Sequence, residues 1–538
     1  MLNLLDSLTF VLSSPSLLLF LFLFLFLLVA LPLLFLTRSS FSTPGPRPLP
    51  FLGNLIEVAG AFNDFADWTY RTTLKYSGRS WTYAAPFIGR FVVATDPRVM
   101  EFVLGKEGFD NFEKGLEFRW KIAPLFGTGI FNSDGPHWVH QRKIISRIFT
   151  SRNLREYFTR VFLSHSAILG AVLSTLAASD DPIDLQDLFH RLTLDSFSQI
   201  AFSCRLESLQ GAAACSDASW GHSFSESQRI VSRRLFDPLW WFKEKTGKDN
   251  VELKKHLEVV DALVYRIIEE RRGEVGDGEE VQGEDLLSRF MRYRDEDTGE
   301  ALSNTELRDW VVNMTIAGRD TTATGLSWAI YRLAQNPTVL SKLRAELATH
   351  LPHDRTTEIT HEMLADLVYT HACYLESLRL HPSIPANMKM CVRDTFLPDG
   401  TPVHKGNWLL WSTYAMGRME SIWGPDAMEY KPERWLVESV DKLGKKCMSI
   451  KQESPFKFLA FNAGPRSCLG MTMAILEAKT TLALLLRDFD IELLNDPPVE
   501  YTPSITYYMK NGLWVKVHKR KADEAGDWKQ DMVGSVEE

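Results

Sequence analysis

FNAGPRSCLG, Phe461–Gly470, confines one thiol within a 538-residue chain that otherwise scatters its cysteines singly. Gly464 and Gly470 permit tight turns and close approach to a flat ligand. Pro465 removes a donor and fixes the loop, and Arg466 sets a positive charge near Cys468. The run LGMTMAILEAKTTLALLLRDF that follows predicts a helix opening at Leu469, whose free N–H groups and dipole would favour a thiolate. Three fates remain open for such a sulfur. It could ligate iron, act as a nucleophile beside a histidine base that sequence cannot place, or lie inert as a small buried hydrophobe.

Upstream, SNTELRDWVVNMTIAGRDTTATGLSWAIYRLAQNP, Ser303–Pro337, opens with a Ser303/Glu306 capping box and closes before a proline. Such a helix would span about 45 Å and, apolar on most sides, must cross the middle of a large domain. At its midpoint lies AGRDTTA. Gly318 there costs about 1 kcal/mol relative to Ala, and an acid beside two threonines adds polar groups to a buried element. One account is a kink with the threonines bonded back to the preceding turn. The other is a widened groove where a small ligand sits, with Asp320 and Thr321 relaying protons to it.

Two further clusters accompany these. In YLESLRLHP, Glu376 and Arg379 share one helix face. EYKPERWL turns Arg434 towards whatever lies next, so Glu376, Arg379 and Arg434 form a candidate structural triad. Strand-like pieces occur near residues 80–96, 401–417 and at GLWVKVHK, so the expected fold is mainly α with small β-sheets to one side.

Composition sets the outer bounds. The chain is 45% hydrophobic and 24% charged, as a globular protein is, and its net charge of −8 without a basic tract excludes nucleic acid as a partner. Six cysteines without CxxC pairs read as reduced thiols facing a cytosol. Between Asp6 and Arg38 there is no charge, and Leu17–Leu36 supplies the roughly 20 apolar residues of a membrane span. Asp6 in front argues against a cleaved signal, and Arg38 and Arg47 behind it place the body in the cytosol. The expected organisation is a short lumenal terminus 1–14, a transmembrane anchor 15–37, a proline-rich hinge 38–54, one catalytic domain 55–520 and a polar tail 521–538. RRGEVGDGEEVQGED, Arg271–Asp285, reads as an exposed loop.

Together these stretches resemble the cytochrome P-450 haem-thiolate monooxygenases. Phe461-x-x-Gly464-x-Arg466-x-Cys468-x-Gly470 matches the family's haem loop, and the other clusters follow in the right order. HWVHQRK adds Trp138 and Arg142, which match the helix that holds haem propionates. The resemblance implies the family fold, heme b with Cys468 as axial ligand to the metal, and Asp320 with Thr321 delivering protons for oxygen activation. Trp138, Arg142 and Arg466 would bind propionates. Lys389, in PSIPANMK, stands where the family often has Arg. Thiolate donation favours O–O cleavage, which also needs protons inside a dry pocket. A haem-thiolate isomerase or dehydratase would need no such relay, and a non-catalytic haem-binding protein would need no complete catalytic set.

A narrower likeness lies in GIFNSDGPHWVHQRKIISRIFTSRNLR, in Arg319 before the acid, in GRMESIWGPDAMEYKPERWL and in YYMKNGLWVKVHKR. These are similar to the plant and fungal omega-hydroxylases of long-chain fatty acids and alkanes. They imply oxidation at or near the methyl end of a fatty acid, or of another lipophilic substrate such as an alkane or terpenoid. Electrons would come from NADPH through a membrane-bound flavoprotein reductase at the endoplasmic reticulum, and O2 is the co-substrate. Gly115–Phe131 and Pro503–Met509 would line the pocket, and Arg142, Lys143, Lys445, Lys446 and Lys457 could form the reductase-docking face.

Overall fold

One helical rod, widened by a single turn, organises the fold. Asn304–Thr315, a π-helical turn at Ile316–Asp320 and Thr321–Gln335 follow one another without a break. Ser303 caps the rod as expected: its hydroxyl accepts from the Glu306 amide at 3.2 Å while Glu306 returns a carboxylate to the Ser303 amide at 2.9 Å. The other end stops at Asn336, ahead of Pro337. The computed structural model describes residues 43–520 except 87, 179–180, 211–217, 238, 274–284, 295–298, 353, 355–356, 441–443, 445 and 495–498, together with 19, 22–24 and 26.

Helices Thr159–Leu176, Leu185–Phe202, Val368–Leu380 and Met471–Asp488 surround the rod and share its main hydrophobic core. Gly318 meets the second of these so closely that a Cβ there would lie 2.0 Å from the Phe197 ring. The glycine in the wide turn is therefore required by helix packing, not by the groove. The carboxy-terminal helix begins at Met471, two residues later than expected, because Leu469 and Gly470 complete the turn that carries the thiol.

A second core lies under a five-stranded sheet ordered Trp81–Ala85, Gly89–Ala94, Trp408–Ser412, Ala386–Cys391, Phe112–Glu113. Its central pair is parallel, with Phe91 opposite Trp408, and its outer pairs are antiparallel. The strand expected over 401–417 is broken. Gly406, at φ +83°, turns the chain before Trp408, and Ser412 ends the strand by capping a short helix Thr413–Met416. GLWVKVHK forms Trp514–Lys519, the middle of a three-stranded sheet with Phe489–Leu493 and Ile183–Asp184.

The proline-rich stretch is pinned where it meets the sheet: Thr82 N donates to Pro44 O at 2.7 Å and Ala84 N to Asn54 Oδ1 at 3.0 Å. Of the expected anchor, only Leu19, Phe22, Leu23, Phe24 and Phe26 are described, as helix with exposed side chains; the rest, like the tail 521–538 and loop 274–284, lies outside the described residues. Asn153–Leu176 is long and apolar enough to cross a membrane. Its Val161, Phe162, Leu169 and Leu173 are instead buried in the main core.

Candidate active site

The thiol loop is built from backbone the sequence could afford only in places. Asn462 and Gly464 take positive φ, +56° and +65°, and a Cβ on Gly464 would lie 1.8 Å from the Leu104 carbonyl oxygen. Cys468 N donates to Phe461 O at 2.8 Å, and Ser467 N to Gly464 O at 3.0 Å, which closes the loop around the sulfur. Cys468 is accessible, yet it lies deep enough that burial raises its thiol pKa. Both hold for a sulfur that faces an internal space. The Gly470 amide and Arg142 pull the other way and do not win. The expected helix-dipole bias towards thiolate is therefore outweighed by desolvation; a bound cation would reverse that balance.

Between Leu307 and Tyr331 every residue of the rod is buried except Ala317 and Thr321. Four apart, they mark one helix face at the wide turn that opens on internal space. Thr321 Oγ1 donates back to Ala317 O at 2.8 Å, so the threonine bond to the preceding turn is present alongside the π-helical widening. Thr322 is buried and off this face. Tyr374 lies between the rod and the thiol: its hydroxyl would be 2.6 Å from a Cβ on Gly325, and the Cys468 charge acts on it.

Asp320 is buried and turned sideways. Gln228 Nε2 donates to its Oδ2 at 2.5 Å, Arg319 pairs with Oδ1, and His190 Nε2 stands 4.0 Å away. Burial, and then repulsion from Arg319, push the His190 pKa down to about 4, so this imidazole is neutral near pH 7. No hydrogen bond joins Asp320 to Thr321. Arg319 and His190 line a polar cavity of about 610 Å³ between helix Leu185–Phe202, helix Ala218–Phe236 and the segment Thr502–Gly512.

A group of cations converges on the far side of the thiol. Arg466 lies 4.3 Å and Arg142 5.8 Å from the Trp138 ring, on helix Gly135–Ser146. Arg142 also donates to Ser467 O at 2.8 Å, beside Cys468. Arg466 pairs with Asp134 at 2.6 Å, but its Nε is buried without a partner. Lys389 Nζ donates to Phe112 O at 2.9 Å; burial, then Arg466 and Lys114, push its pKa down to about 6. Lys114 is pushed down to about 8 by burial and Arg466. Sequence reading missed Lys114; its only signal was its place just before the expected pocket segment. Asp134, with the exposed Glu113 beyond it, does not balance four buried or half-buried cations, and a further anionic group is what this cluster lacks.

Behind the loop, Glu376 receives Arg379 at 2.7 and 2.8 Å, Arg434 at 2.9 Å and Trp435 Nε1 at 2.9 Å. Arg379 also donates to the carbonyls of Gly417, Ala427 and Glu429. All five Arg379 N–H groups and both Glu376 oxygens are taken by protein, as a structural triad requires. Of the five basic residues grouped as a docking face, Arg142 turns inward and Lys457 pairs with Glu453 at 3.1 Å over the Trp423 ring. Lys445 lies outside the described residues, which leaves Lys143 and Lys446 exposed.

Residues 43–512 match the family model Cytochrome P450. The chain belongs to this family. It is 35% identical over 515 residues to Cytochrome P450 704B1 of Arabidopsis thaliana, covering 88% of this chain and 95% of that one. It is 34% identical to Cytochrome P450 monooxygenase cyp1 of Mycosarcoma maydis, over 89% of this chain and 76% of that one. A crystal structure of the cytochrome P450DA heme domain superposes with a TM-score of 0.75 at 23% identity, over 90% of this chain and 98% of that chain. The protein is thus a cytochrome P450 monooxygenase. As in its family, its cofactor is haem with a cysteine thiolate ligand, and its electrons come from NADPH by way of a reductase.

Proposed function

We propose that Cys468 is the haem ligand and that the enzyme hydroxylates a long-chain fatty acid at or near its methyl end. The observation that carries the site is an accessible Cys468 together with Ala317 and Thr321, the two positions of the rod between Leu307 and Tyr331 that are not fully buried. The residues fit the group. An accessible sulfur, a helix face without bulk and a surplus of buried cations match an iron, a flat macrocycle and two propionates. When bound, haem with a thiolate ligand supplies activation of O2 for insertion into an unactivated C–H bond.

This chain's own residues would do the rest. Arg142, Arg466, Lys389 and Lys114, with the Trp138 ring against both arginines, would bind and orient the propionates. Phe461, whose carbonyl accepts from Cys468 N, and Gly464, at positive φ, shape the loop that carries the sulfur, and Gly470 follows it at the start of the carboxy-terminal helix. Thr321 would hold a proton at Oγ1 on the groove face, and Asp320 would replenish it from the polar cavity by way of intervening water.

The substrate reading rests on two segments stitched to the rod on either side of the wide turn. Gly115–Phe131 is held by Asn313 Oδ1, which accepts from Phe131 N at 3.0 Å, and by Asp309 Oδ2, which accepts from Thr128 N at 2.8 Å. Pro503–Met509 reaches the same turn through Tyr507 N to Ser383 O at 2.9 Å and Ser383 Oγ to Thr321 O at 2.7 Å. Relatives in plants and a fungus agree with the likeness in the sequence.

Membrane attachment at the endoplasmic reticulum, by the 15–37 span with the catalytic domain in the cytosol, belongs to the same proposal. Phe51, Leu52 and Ile56 are exposed just after the span, and Trp241 and Phe242 follow helix Ala218–Phe236, whose Phe236 packs on Phe62 and Phe65.

The test is reconstitution with reductase, NADPH and fatty acids of graded length. Terminal oxygenation supports the reading; turnover of a terpenoid or alkane with none of any fatty acid overturns it. Reduced enzyme with carbon monoxide tests the ligand separately: Cys468→Ser must lose the red-shifted Soret band of thiolate ligation.

A further inference from the structure

Helices Ala218–Phe236 and Lys248–Gly273 run antiparallel. Trp220 Nε1 donates to Val260 O at 3.4 Å, Ser223 Oγ faces His256 Nδ1 at 3.2 Å, and Arg233 lies 4.0 Å from Asp249. Each helix carries one histidine and one glutamate four residues apart, in opposite order: His222 and Glu226 on the first, Glu252 and His256 on the second. Residues four apart share a helix face, so the antiparallel pairing brings two imidazoles and two carboxylates to one place. One ligand atom from each of Glu226, Glu252 and His256 lies within 4.8 Å of the others. The His222 ring meets the His256 ring edge-on with centroids 5.7 Å apart.

We infer that this quartet binds a divalent cation of the zinc type, clamping the two helices together. Two imidazoles with two carboxylates suit tetrahedral Zn²⁺ at about 2.0–2.2 Å per ligand, whereas Mg²⁺ and Ca²⁺ call for all-oxygen shells. Side-chain rotation closes the remaining distance, because Glu252 and His222 are exposed and free to move. Arg229 already pairs with Glu226, at 2.6 and 2.8 Å, but both contacts fall on Oε2, so Oε1 remains to face a metal. Ser223 beside His256 Nδ1 is the kind of outer partner that fixes a ligating imidazole's tautomer.

His222 and Glu226 also border the 610 Å³ polar cavity, which gives an ion access from solvent. Gln228 follows Glu226 by two residues and donates to Asp320 at 2.5 Å. Occupancy would therefore steady the helix that holds the acid at the wide turn. None of this depends on the substrate or on the haem ligand.

The experiment uses full-length, haem-loaded protein stripped by chelator and titrated with ZnCl2 in a calorimeter. One Zn²⁺ per chain is expected, with a raised thermal midpoint and no displacement by excess Mg²⁺. Glu252→Gln should weaken binding by more than about tenfold, and His222→Ala with His256→Ala should abolish both binding and the thermal shift. The reduced carbon monoxide spectrum of each variant reports that it has folded. Absence of stoichiometric binding, binding that survives the paired histidine change, or displacement by Mg²⁺ would each overturn the inference.

Discussion

Gln228 Nε2 lies 2.5 Å from Asp320 Oδ2, and Arg319 occupies the other oxygen, so the acid of the wide turn is held towards helix Ala218–Phe236. An acid so held can pass protons only through intervening water. Asp320→Asn should keep the haem spectrum while lowering turnover by roughly 10²-fold and raising the solvent isotope effect. Gln228→Leu frees one carboxylate oxygen and leaves Arg319 in place, so its loss should be smaller. Wild-type turnover in Asp320→Asn would remove the acid from the relay.

Thr321 and Ala317 are the two accessible positions on the rod's wide turn. Thr321→Ala should leave haem binding intact but divert reducing equivalents into hydrogen peroxide, with product per NADPH falling by about tenfold or more. Thr322, 2% exposed, faces packed core, and Thr322→Ser should leave coupling as it is. Equal coupling in the two variants would refute the assignment.

Gly464 and Gly470 look alike in the sequence and differ in space. A Cβ on Gly464 would sit 1.8 Å from the Leu104 carbonyl oxygen at φ +65°, whereas one on Gly470, at φ −89°, finds nothing nearer than Phe149 at 3.8 Å. Gly464→Ala should therefore displace the loop and yield protein poor in haem, and Gly470→Ala should load normally. Haem content per chain in the two purified variants decides it.

Glu376 has no exposed side-chain surface and accepts from Arg379, Arg434 and Trp435 at once. Glu376→Gln leaves the buried Arg379 guanidinium without its counter-charge and Arg434 with Asp426 alone, which costs about 3–5 kcal/mol. The expected result is a large fall in thermal midpoint and in the yield of haem-loaded protein, while any fraction that folds retains thiolate ligation. Unchanged stability would show that the triad is dispensable.

The chemistry of this fold was legible where local sequence and function coincide. The capping box at Ser303 and the Glu376–Arg379 pair stand as read, because a spacing of three residues fixes a helix face, whereas Arg434 joins that pair from 58 positions away through the proline turn. What could not be read depended on partners far away in the chain. Gly318 answers to Phe197, Lys114 matters only because Arg466 and Lys389 fold beside it, and Asp320 turns towards a glutamine 92 positions upstream. The surroundings of Cys468 divide in the same way: the helix start that favours a thiolate is local, whereas the burial that raises the metal-free thiol's pKa is tertiary.

Glu477 supplies the last test, because its protonation belongs to the fold alone. It lies on the carboxy-terminal helix, where burial pushes its pKa up to about 8 although Ser196 donates to Oε1; Oε2 has no partner. The folded state therefore keeps a proton that the unfolded chain releases above its ordinary value of 4.5. Stability is highest below that value and falls as pH rises towards 8, by at most roughly 1.4 kcal/mol per pH unit, then levels off. Glu477→Gln removes the proton and should flatten this slope, so the variant gains on the wild type steadily from pH 5 to about 8. Urea unfolding of both proteins across that range is the measurement, and parallel stability curves would place a charged Glu477 in the folded protein.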